Sequence, residues 1–375
     1  MSRADSMFFA ILLVAAASSA RGQDCPARWK PLDLAELPEP RGWHSMVYDR
    51  SRGCIVLFGG QDQTQRFGDT WEFRNGAWER RCAECGPVAR QAFGLAYDEE
   101  RHRTVLFGGN TRNDGAGEAN LDDTWEWDGS SWIGPFFPES RPSRRSQTMM
   151  TYDHTRRRVV LFGGAVSDGS IASDTWEWDG TAWERRSTGG PGRYNASMCS
   201  EPALGVILVG GTPGQHETWR WDGAQWTQGS GGPPPRYSAS LVDRAEVNRL
   251  VLHGGTNLAS DTWELDTSGW HEVLTAGPPA RYAAAMAYDE SANRVLLFGG
   301  SELGNVFRGD MWEFGDFPFM TDLNGDCHVD PDDLGDFINC FFAAPPCALA
   351  DINGDGNIDP DDLGDFINAY FEEQR

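Results

Sequence analysis

Apolar residues in this chain come in short runs that end on a glycine doublet. The pattern occurs six times, at Gly59-Gly60, Gly108-Gly109, Gly163-Gly164, Gly210-Gly211, Gly254-Gly255 and Gly299-Gly300, spaced 49, 55, 47, 44 and 45 residues apart. A variable polar stretch follows each doublet. Then comes a Trp preceded by an acid: Asp69-Thr70-Trp71, Asp123-Thr124-Trp125, Asp174-Thr175-Trp176, Glu217-Thr218-Trp219, Asp261-Thr262-Trp263 and Asp310-Met311-Trp312. Seven residues further on, five units carry a second Trp: Trp78, Trp132, Trp183, Trp226 and Trp270. Each unit opens with an arginine (Arg41, Arg90, Arg145, Arg193, Arg236, Arg281), and most place a Tyr-Asp pair seven residues after it.

Apolar runs this short, bounded by Gly, Asp, Asn and Pro, predict β-strands. Each unit yields four: the segment before Tyr-Asp, the run into Gly-Gly, the Thr-Trp segment and the segment from the second Trp. Trp127-Asp128-Gly129, Trp178-Asp179-Gly180 and Trp221-Asp222-Gly223 predict the hairpin between the last two. One such sheet cannot bury both its faces, so the copies must stack, and radial stacking leaves only short edges. The expectation is a mainly β chain forming a six-bladed propeller over residues 23–320, with Trp rings packed between neighbouring sheets. Asp69, Asp123, Asp174, Asp261 and Asp310 are expected as turn caps, since repetition of a residue argues for structure.

These units resemble the kelch repeat, with its opening arginine, aliphatic run into Gly-Gly, aromatic strand and later Trp. The resemblance implies a kelch-type β-propeller. Glu201 and Arg244 depart from the pattern at the Asp of Tyr-Asp, and the sixth unit has Phe319 in place of its second Trp. Residues 25–34, with Trp29 twelve residues before Arg41, are expected to supply the missing last strand and close the ring. The alternative is that Phe319 completes blade six and Trp29 caps the N-terminal side. Kelch folds occur in galactose oxidase, but no Tyr, Cys and His constellation here matches a copper site of that kind.

Charge divides the chain. Of 375 residues, 56 are acidic and 32 basic, a formal net charge of −24, and Lys30 is the single lysine. The arginines are spread without a basic run, which excludes charge-driven nucleic-acid binding and a polybasic membrane patch. Residues 321–375 hold 14 acids and one arginine, so a separate acidic module ends the chain.

Within that module two segments 29 residues apart read alike. Asp322, Asn324, Asp326, His328, Asp330 and Asp333 fall at positions 1, 3, 5, 7, 9 and 12 of a twelve-residue loop, as do Asp351, Asn353, Asp355, Asn357, Asp359 and Asp362. This EF-hand-like spacing of oxygens suits two Ca²⁺ ions, with His328 and Asn357 contributing backbone carbonyls. Each loop continues into a helical stripe: Leu334, Phe337, Ile338 and Phe341, then Leu363, Phe366, Ile367 and Tyr370. The stripes are expected to pack two helices together once calcium neutralises the loops. Loop, helix, loop, helix, with Asp at position 12, resembles a dockerin. That resemblance implies a cohesin-like or other surface or scaffold partner and two equivalent binding faces. Pro331, Asp332, Ile338 and Asn339 would form one face, and Pro360, Asp361, Ile367 and Asn368 the other. Cys327 stands where the first loop needs a glycine, which predicts a weaker first site.

At the other end, Arg3, the apolar residues 7–17 and Ser18-Ser19-Ala20 predict a cleaved export signal over residues 1–20. The chain is then secreted or held in the cell envelope, without a transmembrane anchor. Eight cysteines in an exported chain favour disulfides. Cys82-Ala83-Glu84-Cys85 has half the spacing of a zinc site and no second half. Insertions at 110–122 and 133–144 make the second unit longest, and bring forward Phe136 and Phe137 as a glycan or protein contact or as cover for the blade edge. No catalytic residue stands out. The function expected is therefore secreted recognition: a propeller binding a protein or glycan, tethered by its calcium-dependent tail. The alternative is a dockerin-bearing carbohydrate-active enzyme that degrades polysaccharide on a propeller face. A pocket with paired carboxylates would favour that alternative.

Overall fold

A computed structural model of the chain describes residues 27–83, 85–111, 120–211, 217–229, 231–256, 259–316, 331–343, 350, 352 and 357–373. The expected export signal, Phe319, most of the first calcium loop and half of the second lie outside these residues. The chain divides into two compact units, Trp29–Gly315 and a second made of Met1–Arg28 with Asp316–Arg375.

The first unit is a six-bladed β-propeller of six four-stranded antiparallel sheets. Blade 1 runs Ser45–Asp49, Cys54–Phe58, Thr70–Arg74, Ala77–Cys82, and blade 2 runs Gly94–Asp98, Arg103–Phe107, Thr124–Trp127, Trp132–Phe136. Blade 3 is Met149–Asp153, Arg158–Phe162, Thr175–Trp178, Trp183–Ser187, and blade 4 is Ser197–Glu201, Gly205–Val209, Thr218–Trp221, Trp226–Gln228. Blade 5 is Ser240–Arg244, Arg249–His253, Thr262–Asp266, Gly269–Val273. Blade 6 takes Ala285–Asp289, Arg294–Phe298 and Met311–Gly315, and its fourth strand is Arg28–Pro31 from the start of the chain. The first strands of adjacent blades touch around the axis. The second strands carry the fully buried apolar runs, because sheets pack on both their faces.

Ring closure follows from one tryptophan register. The second Trp of a blade donates its indole N–H to the Thr of the preceding blade: Trp132 to Thr70, Trp183 to Thr124, Trp226 to Thr175 and Trp270 to Thr218, each at 2.9 Å. Trp29 makes the same bond to Thr262 at 2.8 Å, so it is the second Trp of blade 6 and no N-terminal cap. Trp78 meets the Met311 sulfur at 3.3 Å, because blade 6 has Met where the others have Thr.

The glycine doublets sit where neighbouring blades meet. The second glycine donates to the carbonyl of the next blade's opening arginine, from Gly60 to Arg90 at 2.9 Å round to Gly300 to Arg41 at 2.9 Å. The first glycine lies at positive φ, and a Cβ on Gly163 or Gly210 would stand 2.4 Å from that next carbonyl. Only glycine fits both demands.

The opening arginines are buried, and their partners correct the turn-cap expectation. Arg41 grips Asp69 through two bonds of 2.7 and 3.0 Å, with its side chain fully buried. Arg90, Arg145, Arg236 and Arg281 hold Asp123, Asp174, Asp261 and Asp310 in the same fork, and Arg193 holds Glu217. The following Trp donates to the same carboxylate at 2.6–2.8 Å in five blades. These acids exist to satisfy a buried cation, not to cap a turn.

A closed ring of backbone bonds surrounds the axis just before the first strands. Trp43, Ala92, Gln147, Asn195, Ser238 and Ala283 all have φ between 54° and 61°. Each donates its N–H to the carbonyl of its counterpart in the preceding blade, at 2.6–3.2 Å, and Trp43 to Ala283 at 2.9 Å completes the circle.

In the second unit, helix α1 is Pro331–Phe341 and helix α2 is Pro360–Glu373. Phe337 and Phe366 stack at 4.0 Å between centroids and are fully buried, with Cys340, Ala350 and Tyr370 beside them. Ile338 and Ile367 are about two-fifths exposed, which corrects their expected share in helix packing. Leu334, Phe337 and Phe341 already span the buried face, and residue 338 is turned off it. Among the described residues no helix is long and apolar enough to cross a membrane.

The cysteines divide. Cys82 pairs with Cys85, and Cys340 is disulfide-bonded. Cys54 and Cys199 are free, against the expectation for an exported chain, because each stands in a strand among apolar neighbours with no cysteine beside it.

Candidate functional site

The C-terminal ends of the six inner strands enclose a cavity of ≈ 180 Å³ on the propeller axis. Equivalent positions contribute one residue per blade: Tyr48, Tyr97, Tyr152, Ser200, Asp243 and Tyr288. The tyrosines are structural spacers that reach the first hairpin of the preceding blade. Tyr97 accepts from the Ser51 N–H at 3.2 Å, and Tyr288 reaches Glu246 at 3.5 Å. Burial pushes the Tyr97, Tyr152 and Tyr288 phenols up to about 12, so they stay neutral donors.

Blades 4 and 5 break this pattern side by side. Ser200 and Asp243 are shorter than tyrosine and leave room where two phenols would stand. Asp243 Oδ1 is buried and has no hydrogen-bond partner. Burial, together with the nearby Glu201 and Glu290 carboxylates and against the pull of His154 and Arg50, raises its carboxyl to about 7. A carboxyl near neutrality in a cavity is poised to give or take a proton.

Charged side chains from the other hairpins gather at the same mouth. Arg50 binds Glu99 at 2.9 Å and also pairs with Glu290. His154 Nδ1 lies 3.3 Å from Glu99. Burial lowers the His154 pKa, but the Glu99 carboxylate overcomes that and raises it. The Glu99 carboxyl is lowered in turn: burial raises it, and His154 and Arg50 outweigh that. The Cys199 thiol also lines the cavity, where burial pushes its pKa up and keeps it protonated. The mouth therefore joins one proton-bearing carboxyl, two ion-paired carboxylates, one imidazole and a collar of phenols.

None of these residues stands out in the sequence as chemical. The available signal is the departure from the repeat, since Asp243 stands where four blades have Tyr.

The sequence-derived candidates lie elsewhere. Phe136 packs on Trp178 at 6.4 Å, which is the blade-edge role, and Phe137 is 56% exposed beneath the Arg141 guanidinium at 5.5 Å. Neither lines the axial cavity. Of the twelve expected calcium ligands, Asp322, Asn324, Asp326, His328, Asp330, Asp351, Asn353 and Asp355 lie outside the described residues. Asp333 and Asp362, the two twelfth positions, are buried in the first turns of α1 and α2, and Asp362 accepts from the Ile352 and Asp359 amides at 2.9 Å each. Asp359 and Asn357 precede α2. All eight expected partner residues, Pro331, Asp332, Ile338, Asn339, Pro360, Asp361, Ile367 and Asn368, are exposed. Sequence reasoning missed Phe342 and Phe371, 72% and 60% exposed, which repeat at the same interval.

No protein-family model and no curated protein matches the chain. Among solved structures 444 chains match. One is the structure of YjhT, similar with a TM-score of 0.59 at 13% identity, over 74% of this chain and 95% of that one. The likeness is one of fold, and a frame so widely shared selects no activity by itself.

Proposed function

We propose that this chain is an exported, carbohydrate-active protein that works on a glycan at the tyrosine-collared mouth of a kelch-type propeller. The observation that carries this reading is the break in the repeat at Asp243. Glycoside chemistry needs one carboxyl that holds a proton at neutral pH and a second that is ionised. Asp243 is raised to about 7, and Glu99 is held down by His154 and Arg50. Phenols, an imidazole and a guanidinium supply the donors and apolar edges that a sugar ring uses. In this reading Asp243 donates its proton to the departing oxygen as the glycosidic bond breaks, the Glu99 carboxylate stabilises the positive charge on the sugar, and a water molecule adds its oxygen to the anomeric carbon and returns a proton to Asp243.

The C-terminal unit is proposed to be a dockerin-like module that binds two Ca²⁺ ions and tethers the protein to a cohesin-like or other surface partner. The duplicated spacing of oxygen ligands supports this. Residues 1–20 would direct export.

The test is release of reducing ends from a panel of plant and microbial polysaccharides. Turnover by the full chain, falling at least a hundredfold in Asp243→Asn with binding retained, is the expected result. Binding without turnover would instead select the recognition reading. The geometry gives that reading one support, since Arg50 and His154 already engage the Glu99 carboxylate.

A further inference from the structure

The opposite end of the axis carries a second cavity, of ≈ 130 Å³, lined by the residues of the backbone ring and those that lead from it into the inner strands. Its chemistry is the reverse of the charged mouth. No Asp, Glu, Lys or Arg lines it, and burial together with the Arg41 charge lowers His44 to about 3, so its imidazole is neutral. The other polar groups are the Trp43 indole, the Gln147 and Asn195 amides and the Ser45, Thr148 and Ser238 hydroxyls. Ser238 is 8% exposed, and its Oγ is buried without a hydrogen-bond partner, a deficit that a ligand hydroxyl would repair.

Beside this cavity the repeat is broken again. The residue between the opening arginine and the ring is Gly42, Gln91 and Ser146 in blades 1 to 3, but Tyr194, Tyr237 and Tyr282 in blades 4 to 6. Trp43 continues the series into blade 1, its ring 6.1 Å from Tyr282 in an edge-on contact. Four half-buried aromatics thus follow one another across four adjacent blades. Their backbone is fixed: Tyr237 and Thr256 exchange bonds of 3.2 and 3.0 Å, and Tyr282 and Ser301 bonds of 2.9 and 2.8 Å.

We propose that this arc and cavity form a binding site for a neutral oligosaccharide, separate from the charged mouth. Aromatic faces take the apolar faces of pyranose rings, and the uncharged amides and hydroxyls take the sugar hydroxyls without desolvating an ion. The inference goes beyond the proposed function and stands whether or not Asp243 is catalytic.

The probes are cellohexaose, xylohexaose and mannohexaose, each titrated into the full chain by calorimetry and by tryptophan emission. The repeat supplies tolerated substitutions. Ala92 and Ala283 already occupy the position of Trp43 at the same φ, and Gln91 and Ser146 the position of the tyrosines. Trp43→Ala should weaken binding of at least one probe roughly tenfold, and Tyr237→Gln and Tyr282→Ser severalfold. Silence from all three sugars in both readouts overturns the proposal. So does binding that Trp43→Ala, Tyr237→Gln and Tyr282→Ser all leave unchanged, which would place the sugar away from the arc.

Discussion

At the scale of single residues, the six repeats act as controls for one another. A residue present in every blade, such as the opening arginine with its acid, answers a packing demand. A residue that departs in one blade either has a local task or carries a cost. His253 shows the cost. It stands where Phe58, Phe107, Phe162 and Phe298 fill the core, is 1% exposed, bonds Thr262 at 3.0 Å, and meets the Trp29 ring in a tilted contact at 5.0 Å. Burial, with repulsion from Arg281 and Arg236, lowers its pKa to about 3. Between its unfolded value near 6.5 and that value, the unfolded chain binds a proton that the folded chain refuses, so stability falls as pH falls through this window. His44 acts in the same sense. His253→Phe should therefore cut the loss of stability between pH 7 and pH 4.5 by about 2 kcal/mol in urea titrations. Equal losses in the two proteins would show that His253 is charged in the folded state.

At the scale of elements, closure rests on a strand drawn from the opposite end of the chain. Arg28–Pro31 pairs with Met311–Gly315, and Trp29 sits 6% exposed against Phe314 and His253. Losing that ring opens a cavity at the seam and removes its bond to Thr262, so Trp29→Ala should cost about 3–5 kcal/mol, and the melting temperature should drop by roughly 10 °C. Melting unchanged within a few degrees would mean that the other contacts hold the seam alone. This strand was legible in the sequence because Trp29 keeps the tryptophan register relative to Arg41, as do the blades, whose apolar runs and turns recur. The backbone ring was not. Trp43, Ala92, Gln147, Asn195, Ser238 and Ala283 share a conformation but no side chain, and none is glycine, the residue by which a positive φ is usually recognised. The arginine forks were half legible: the residues recur in register, but their pairing across 24 to 33 positions appears only in three dimensions. The charged mouth was illegible for the opposite reason. Its key residue interrupts a repeat, and a search for repetition passes over interruptions.

At the scale of the whole molecule, the two units have separate cores of different kinds. The propeller buries aromatic and aliphatic side chains between sheets, and with them the forks of its opening arginines. The C-terminal unit has a small core around Phe337 and Phe366, and its sequence concentrates acid. A core of that size offsets little chain entropy, and unneutralised carboxylates repel, so this unit should need its proposed calcium to fold. Calorimetry of the full chain should then show two transitions, with a chelator lowering or abolishing the smaller and leaving the larger in place. The two loops should not contribute equally. Cys327 occupies the sixth position of the first loop, where the second has Gly356, and that position calls for the sharp turn glycine makes best. Asp351→Ala should therefore reduce total calcium affinity more than Asp322→Ala. A larger loss from Asp322→Ala would mean that the first loop accommodates its cysteine without strain and is the tighter site. A chelator that moved neither transition would leave the helices folded on packing alone and remove calcium from the tether.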